Sequence, residues 1–334
     1  MSHAEGGRPS LTAGAPVDIA VDLGRGLVLS NPVIAASGTF GYGVELVRFF
    51  PPGRLGAIVG KTITTERREG NPAPRMWETP AGMLNSIGLQ NPGIEGFLHD
   101  LLPRMQGLGC PIVANVAGED PEDFARLAAR VGAAPGVAAV ELNLSCPNVS
   151  HGLDLAVDPR ACEAAVAACR RATDKPLWAK LTPNITSVAP IARAAEAGGA
   201  DALVMGNTVV GMAVDWRTGR PRLPRGTGGL SGPAIRPIAL RMARVCVESV
   251  KIPVIGCGGI LTAEDALEFL CVGCRAVQVG TATFRDPLAG LDLVEALAPL
   301  LRSAGFASLA ELVGSYRPPG ADLAVIPMSA TVDE

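Results

Sequence analysis

The chain has 334 residues, 48% of them hydrophobic and only 4% aromatic, with a formal net charge of −3. That balance excludes an extended nucleic-acid surface and a polybasic membrane patch, and no apolar run reaches the roughly 18 residues of a membrane span. Met1 to Pro16 is polar and rich in Gly and Pro, without an apolar signal core, so a cytoplasmic protein with eight reduced cysteines is expected.

In chain order, residues 1–16 read as an irregular leader. Val17–Asp22 and Leu27–Leu29 flank Gly24-Arg25-Gly26, a β-hairpin pattern that would cap one end of the fold. Short apolar runs then predict strands at Val33–Ala36, Ala57–Lys61, Ile112–Val116, Ala138–Leu142, Leu177–Lys180, Ala202–Met205, Val254–Ile255 and Ala276–Val279. Helical periodicity fills Ile94–Met105, Pro121–Val131, Pro159–Arg171, Val188–Ala197, Pro233–Val250, Ala263–Leu270 and Pro287–Leu301. Several of these helices begin with Pro, which suits the first helical turn.

Eight strands with intervening helices make the count of an α/β fold closed as a (β/α)8 TIM barrel over residues 17–305. The aliphatic core suits parallel strands buried on both faces; a doubly wound open sheet is the competing architecture. Two insertions, residues 62–93 and 207–232, are rich in Gly and Pro and predict long βα loops, which in a barrel build the catalytic face. Residues 306–334 predict a helical turn and an irregular tail.

Polar residues collect where strands end. Lys61, Asn115, Asn143, Lys180, Asn207 and Thr208 follow or end five consecutive strands, so all project from one rim into one pocket. Each alone reads as a capping side chain; together they predict a polar ligand site. Gly256-Cys257-Gly258-Gly259 follows the seventh strand and Gly280-Thr281 the eighth, the position at which barrels hold a phosphate on backbone N–H groups.

Among the cysteines, Cys146 lies in Asn143-Leu144-Ser145-Cys146-Pro147-Asn148 at the same rim and reads as catalytic. Cys271 and Cys274 form a lone CxxC without further ligands, which predicts packing and no metal site.

Ala36-Ser37-Gly38-Thr39-Phe40-Gly41, Gly60-Lys61-Thr62, Asn85 to Asn91, Asn115-Val116-Ala117-Gly118, Asn143 to Asn148, Gly229-Leu230-Ser231-Gly232 and the two glycine loops occur in order over the barrel. In these motifs the chain resembles the dihydroorotate dehydrogenases, most closely the cytosolic class 1 enzymes with a cysteine base. The order of Asn85–Asn91 and His151-Gly152 resembles the NAD-linked class 1B catalytic subunit; the fumarate-linked class 1A enzyme and a dihydropyrimidine dehydrogenase-like FMN barrel are the alternatives.

The resemblance implies FMN as cofactor, held by Ser37, Lys61, Thr62, Asn115, Asn143, Lys180, Gly206, Gly232, Gly258, Gly259, Gly280 and Thr281. It implies dihydroorotate and orotate as ligands of Lys61, Asn85, Ser86, Ile87, Gly88, Leu89, Asn143, Asn148, Asn207 and Thr208. Cys146 would remove the C5 proton while C6 gives hydride to the flavin; His151 reads as a flap residue. The implied partner is an electron-transfer subunit with FAD and [2Fe-2S], in a homodimer or heterotetramer, without nucleic acid or membrane.

Overall fold

The computed structural model describes residues 16–145 and 155–319. Eight parallel strands close into a barrel: β1 (Val33–Ala35), β2 (Ala57–Val59), β3 (Ile112–Val116), β4 (Val137–Asn143), β5 (Leu177–Leu181), β6 (Ala202–Met205), β7 (Val254–Cys257) and β8 (Ala276–Val279). Closure is made by β8 against β1, with Val277 opposite Val33 and Val279 opposite Ala35. An open sheet is thereby excluded. Every residue of β1, β2, β3, β5, β6 and β8 is buried. This is why their sequences run apolar without alternation.

The helices lie between the strands at the predicted places, with ends set by local chemistry. Asp120 caps Pro121–Ala133 by accepting from the Asp123 N–H at 2.7 Å. Thr262 and Asp265 form a reciprocal capping box before Ala263–Cys271. The helix predicted over Ile94–Met105 differs: its middle, Phe97–Leu101, widens into a π turn closed by Leu102 N–H on Phe97. The cause is Pro103, which donates no N–H and whose ring crowds the carbonyl four residues back. The helix predicted from Pro233 starts as a 3-10 turn, Pro233–Ile235, and is regular over Arg236–Ser249.

The N-terminal hairpin is shorter than predicted, pairing Val21–Asp22 with Val28–Leu29. Its turn is tied to the bottom of the barrel by Arg25, whose Nε donates to Asp201 at 2.9 Å just ahead of β6. Near the C-terminal end, Leu309–Leu312 forms a helical turn.

The two insertions are not the loops that their composition predicts. Met76–Thr79, Gly82–Asn85, Gly228–Ser231 and Val209–Gly211 pair into one four-stranded antiparallel sheet, so the two insertions fold together. Glycine makes the pairing possible: a Cβ on Gly229 would stand 2.0 Å from Thr208 Oγ1, and one on Gly228 2.8 Å from the Asn85 carbonyl oxygen. A second hairpin, Val214–Asp215 with Arg220–Pro221, extends outward.

Candidate active site

A cavity of about 600 Å³ occupies the C-terminal rim of the barrel, lined by strand ends and by the inserted sheet. Its lining carries three cations, Lys61, Lys180 and Arg225, and no carboxylate among the described residues. The remaining polar lining is amide and hydroxyl. A cavity so charged selects anions, and the amides can both donate and accept.

The floor is a hydrogen-bonded network fixed by the strand register. Asn115 on β3 stands opposite Glu141 on β4, and its Nδ2 donates to Glu141 Oε1 at 2.6 Å. Gln278 on β8 donates to Glu141 Oε2 and accepts from Lys180 Nζ at 2.9 Å. Lys180 lies 3.7 Å from Glu141. Burial by itself would discharge the Lys180 ammonium, but Glu141, with Cys257 beside it, more than offsets that and holds its pKa above the usual lysine value. Lys61 goes the other way: burial first, and then the charge of Lys180, pull its pKa down. Asn115 lines the cavity, and its Oδ1 is buried without a hydrogen-bond partner among the described residues.

The rim is held by a chain of side chains. Asn207 Nδ2 donates to Ser145 Oγ at 2.5 Å, and Ser145 donates to Asn143 Oδ1 at 2.7 Å, which links the ends of β6 and β4. Asn207 Oδ1 also accepts from the Thr208 N–H at 2.8 Å. Asn184 ties down the next stretch, donating to the Thr208 carbonyl at 3.0 Å and accepting from the Val210 N–H at 2.8 Å. On the other side of the cavity, Asn85 Nδ2 donates to the Gly229 carbonyl at 3.2 Å. Ser86, Ile87, Gly88 and Leu89 continue the wall. Gly88 and Leu89 both have positive φ, and Asn91 pins them by donating to the Leu89 carbonyl at 2.7 Å. Ser37 and Thr62 meet through their hydroxyls at 3.4 Å.

The glycine loops lie beside the cavity. Of the residues predicted there, only Thr281 lines it; Gly206, Gly232, Gly258, Gly259 and Gly280 do not. They nevertheless come together. A Cβ on Gly259 would sit 2.7 Å from the Arg236 backbone nitrogen, and one on Gly258 would meet Ile235 and Ala239, just after Gly232. Gly280 approaches Ala36 and Thr39, and Ser231 next to Gly232 reaches the cavity lining. Gly232, Gly258 and Gly259 all have positive φ, so side chains are disfavoured there twice over.

Cys146, Asn148 and His151 lie outside the described residues. Ser145, immediately before Cys146, does line the cavity. Other cysteines are packing thiols: burial pushes Cys110, Cys162, Cys169 and Cys246 up to about 12, and Cys274 upward as well. Sequence reading missed Glu141, Gln278, Ser145, Asn184 and Arg225. Glu141 and Gln278 had a signal: each is a polar residue inside an otherwise apolar stretch of strand, in VAAVEL before Asn143 and in AVQV.

A family model described as dihydroorotate dehydrogenase matches residues 23–301. The chain is 48% identical to the dihydroorotate dehydrogenase B (NAD(+)), catalytic subunit, of Trichlorobacter lovleyi, over 89% of this chain and 98% of the relative. It is also 48% identical to a Solibacter usitatus protein provisionally named dihydroorotate dehydrogenase A (fumarate), over 87% of this chain and 96% of that one. A crystal structure of the dihydroorotate dehydrogenase of Eimeria tenella in complex with ferulenol shares the fold, with a TM-score of 0.75 at 22% identity over 93% of this chain and 92% of that one. By its family match and by relatives that it covers almost end to end, the chain belongs to the dihydroorotate dehydrogenase family.

Proposed function

We propose that the chain oxidises (S)-dihydroorotate to orotate on a bound FMN, in pyrimidine biosynthesis in the cytoplasm. We propose further that it passes the electrons to NAD through a partner subunit carrying FAD and a [2Fe-2S] cluster, within a heterotetramer built on a homodimer. The observation that carries the reading is the charge of the cavity: three cations, many amides and no carboxylate among the described lining residues. Both proposed ligands are anions, one through its carboxylate and one through its phosphate.

The residues fit a flavin. Asn115 Oδ1, unpartnered among the described residues, would offer an acceptor to a ring N–H, and Lys180 a cation from the same cavity wall. The positive-φ glycines Gly232, Gly258 and Gly259, with Gly280 and Thr281, would present backbone N–H groups to a phosphate. Ser37, Thr62, Asn143 and Gly206 complete the cofactor set, with Lys61 at its border with the substrate. Bound FMN would supply the two-electron acceptor that no side chain provides.

The chain's own part is positioning and proton removal. Lys61 would hold the substrate carboxylate, and Asn85, Asn143, Asn207 and Thr208 the ring amides and carbonyls. Ser86, Ile87, Gly88 and Leu89 would form the wall, with Asn148 from the segment after β4. Cys146 would take the C5 proton. A free thiol has a pKa of about 8.5, so a share of thiolate is present near neutral pH.

The test is orotate formation, followed by its absorbance, with each electron acceptor in turn. Turnover with NAD only when a flavin/iron–sulfur partner is added supports the reading. Turnover with fumarate alone would replace the NAD-linked arm with the fumarate-linked one, which the similarity to the Solibacter usitatus protein favours. Without orotate under any acceptor, the reading fails.

A further inference from the structure

The network in the barrel floor contains one charged residue for which the proposed reaction has no direct use. Glu141 is fully buried. Asn115 and Lys180 line the cavity, whereas Glu141 and Gln278, which hold them, do not. Barrel interiors are ordinarily filled by layers of Val, Ile and Leu. A buried ion pair is weak evidence of stabilisation, because apolar residues of similar volume often do as well or better. A charge pair in this layer therefore points to a use other than stability.

We propose that Glu141 is a positioning residue for the reduced state of the bound flavin: it keeps the Lys180 ammonium charged and aimed into the cavity while touching no ligand itself. This rests on the flavin reading given above. Two electrons and one proton entering a flavin leave one net negative charge on the ring, and a fixed cation beside the pyrimidine edge stabilises it. Lys180 supplies that cation only if it is already protonated beside the oxidised, neutral ring. The groups facing Lys180 are Glu141 at 3.7 Å, Gln278 at 2.9 Å, the Cys257 thiol and the Lys61 ammonium. Of these, Glu141 is the carboxylate. With Glu141 neutral, burial and Lys61 both favour loss of the Lys180 proton, which returns only when the ring becomes negative. Glu141 also accepts from Asn115 Nδ2, which fixes that amide with its Oδ1 left as an acceptor unpartnered among the described residues.

The readout is the number of protons taken up per two electrons, from the pH dependence of the flavin reduction potential between about pH 7 and 9, measured on the holoenzyme with dithionite and reference dyes. The wild type is expected to take up one. Glu141→Gln is expected to take up two, and Glu141→Asp, which keeps the charge, one. A Glu141→Gln protein that still takes up one overturns the proposal and leaves the flavin reading standing; a wild type that binds no FMN overturns both. If Glu141→Gln alone does not fold, Glu141→Gln with Lys180→Met removes both charges together and is expected to fold. Failure of that double variant to fold would assign the pair to stability and overturn the proposal.

Discussion

Lys61 and Lys180 face one cavity, but only Lys180 has a carboxylate beside it: Glu141 lies 3.7 Å from Lys180, and among the described residues no acidic side chain pairs with Lys61. The two lysines are therefore poised oppositely. Burial and the neighbouring ammonium pull the Lys61 pKa down, and Glu141 holds that of Lys180 up. Lys61 is the cation that gains most from an arriving anion.

That difference predicts the pH dependence of orotate binding. The anion needs Lys61 protonated, and its pKa in the free protein is lowered, so affinity is full below that lowered value and falls as pH rises through it. The loss sets in before the ordinary lysine value of about 10.4 is reached, at about tenfold per pH unit. Lys61→Arg keeps its charge over this range and should flatten the profile. Titration calorimetry with orotate from pH 7 to 10 checks both; a Lys61→Arg profile as steep as that of the wild type would remove Lys61 from the carboxylate site.

Asn207→Ala removes a donor from the Asn207–Ser145–Asn143 chain and a proposed substrate contact at once. Leaving the buried partner of a lost hydrogen bond unsatisfied costs about 1–3 kcal/mol, so kcat/KM for dihydroorotate should fall by roughly 5- to 150-fold, with flavin content unchanged. Steady-state kinetics on the flavin-replete variant decides it.

Much of this arrangement was legible in the sequence, because strand-end residues are placed by topology alone. Once eight apolar runs are counted, Lys61, Asn115, Asn143, Lys180 and Asn207 must share a rim, and the cavity contains all five. Glu141 and Gln278 were less accessible. Gln278 meets Lys180 and Glu141 from a strand far along the chain, and a polar residue within a strand does not reveal which neighbour it faces. The inserted sheet was hidden for a related reason. Its strands are three or four residues long and three of the four contain glycine, too short for a period-2 signal, and the pairing that joins the two insertions, Gly82–Asn85 with Gly228–Ser231, spans more than a hundred residues. The π turn before Pro103 is local, yet the proline gives only the position of the disturbance, not its form.

Gly259→Ala should weaken both the fold and flavin retention. The residue has φ +78°, and a Cβ would stand 2.7 Å from the Arg236 backbone nitrogen. A non-glycine residue in that conformation costs about 1–3 kcal/mol before any clash. Thermal unfolding and the ratio of flavin absorbance to protein absorbance measure the two effects. An unchanged ratio would move the phosphate away from this loop.

Cys146→Ala should retain FMN with an unaltered oxidised spectrum. Reduction by dihydroorotate should slow by roughly 10²–10⁴, the span that a positioned base contributes. Rapid-mixing kinetics at neutral pH provide the rate, and a wild-type rate in the variant would exclude the thiol as base.

The most direct measurement mixes the flavin-loaded protein anaerobically with (S)-dihydroorotate and follows the flavin absorbance in the visible. The account predicts bleaching within one turnover, with one orotate formed per flavin. A flavin that stays oxidised with excess dihydroorotate, yet bleaches with dithionite, would contradict it.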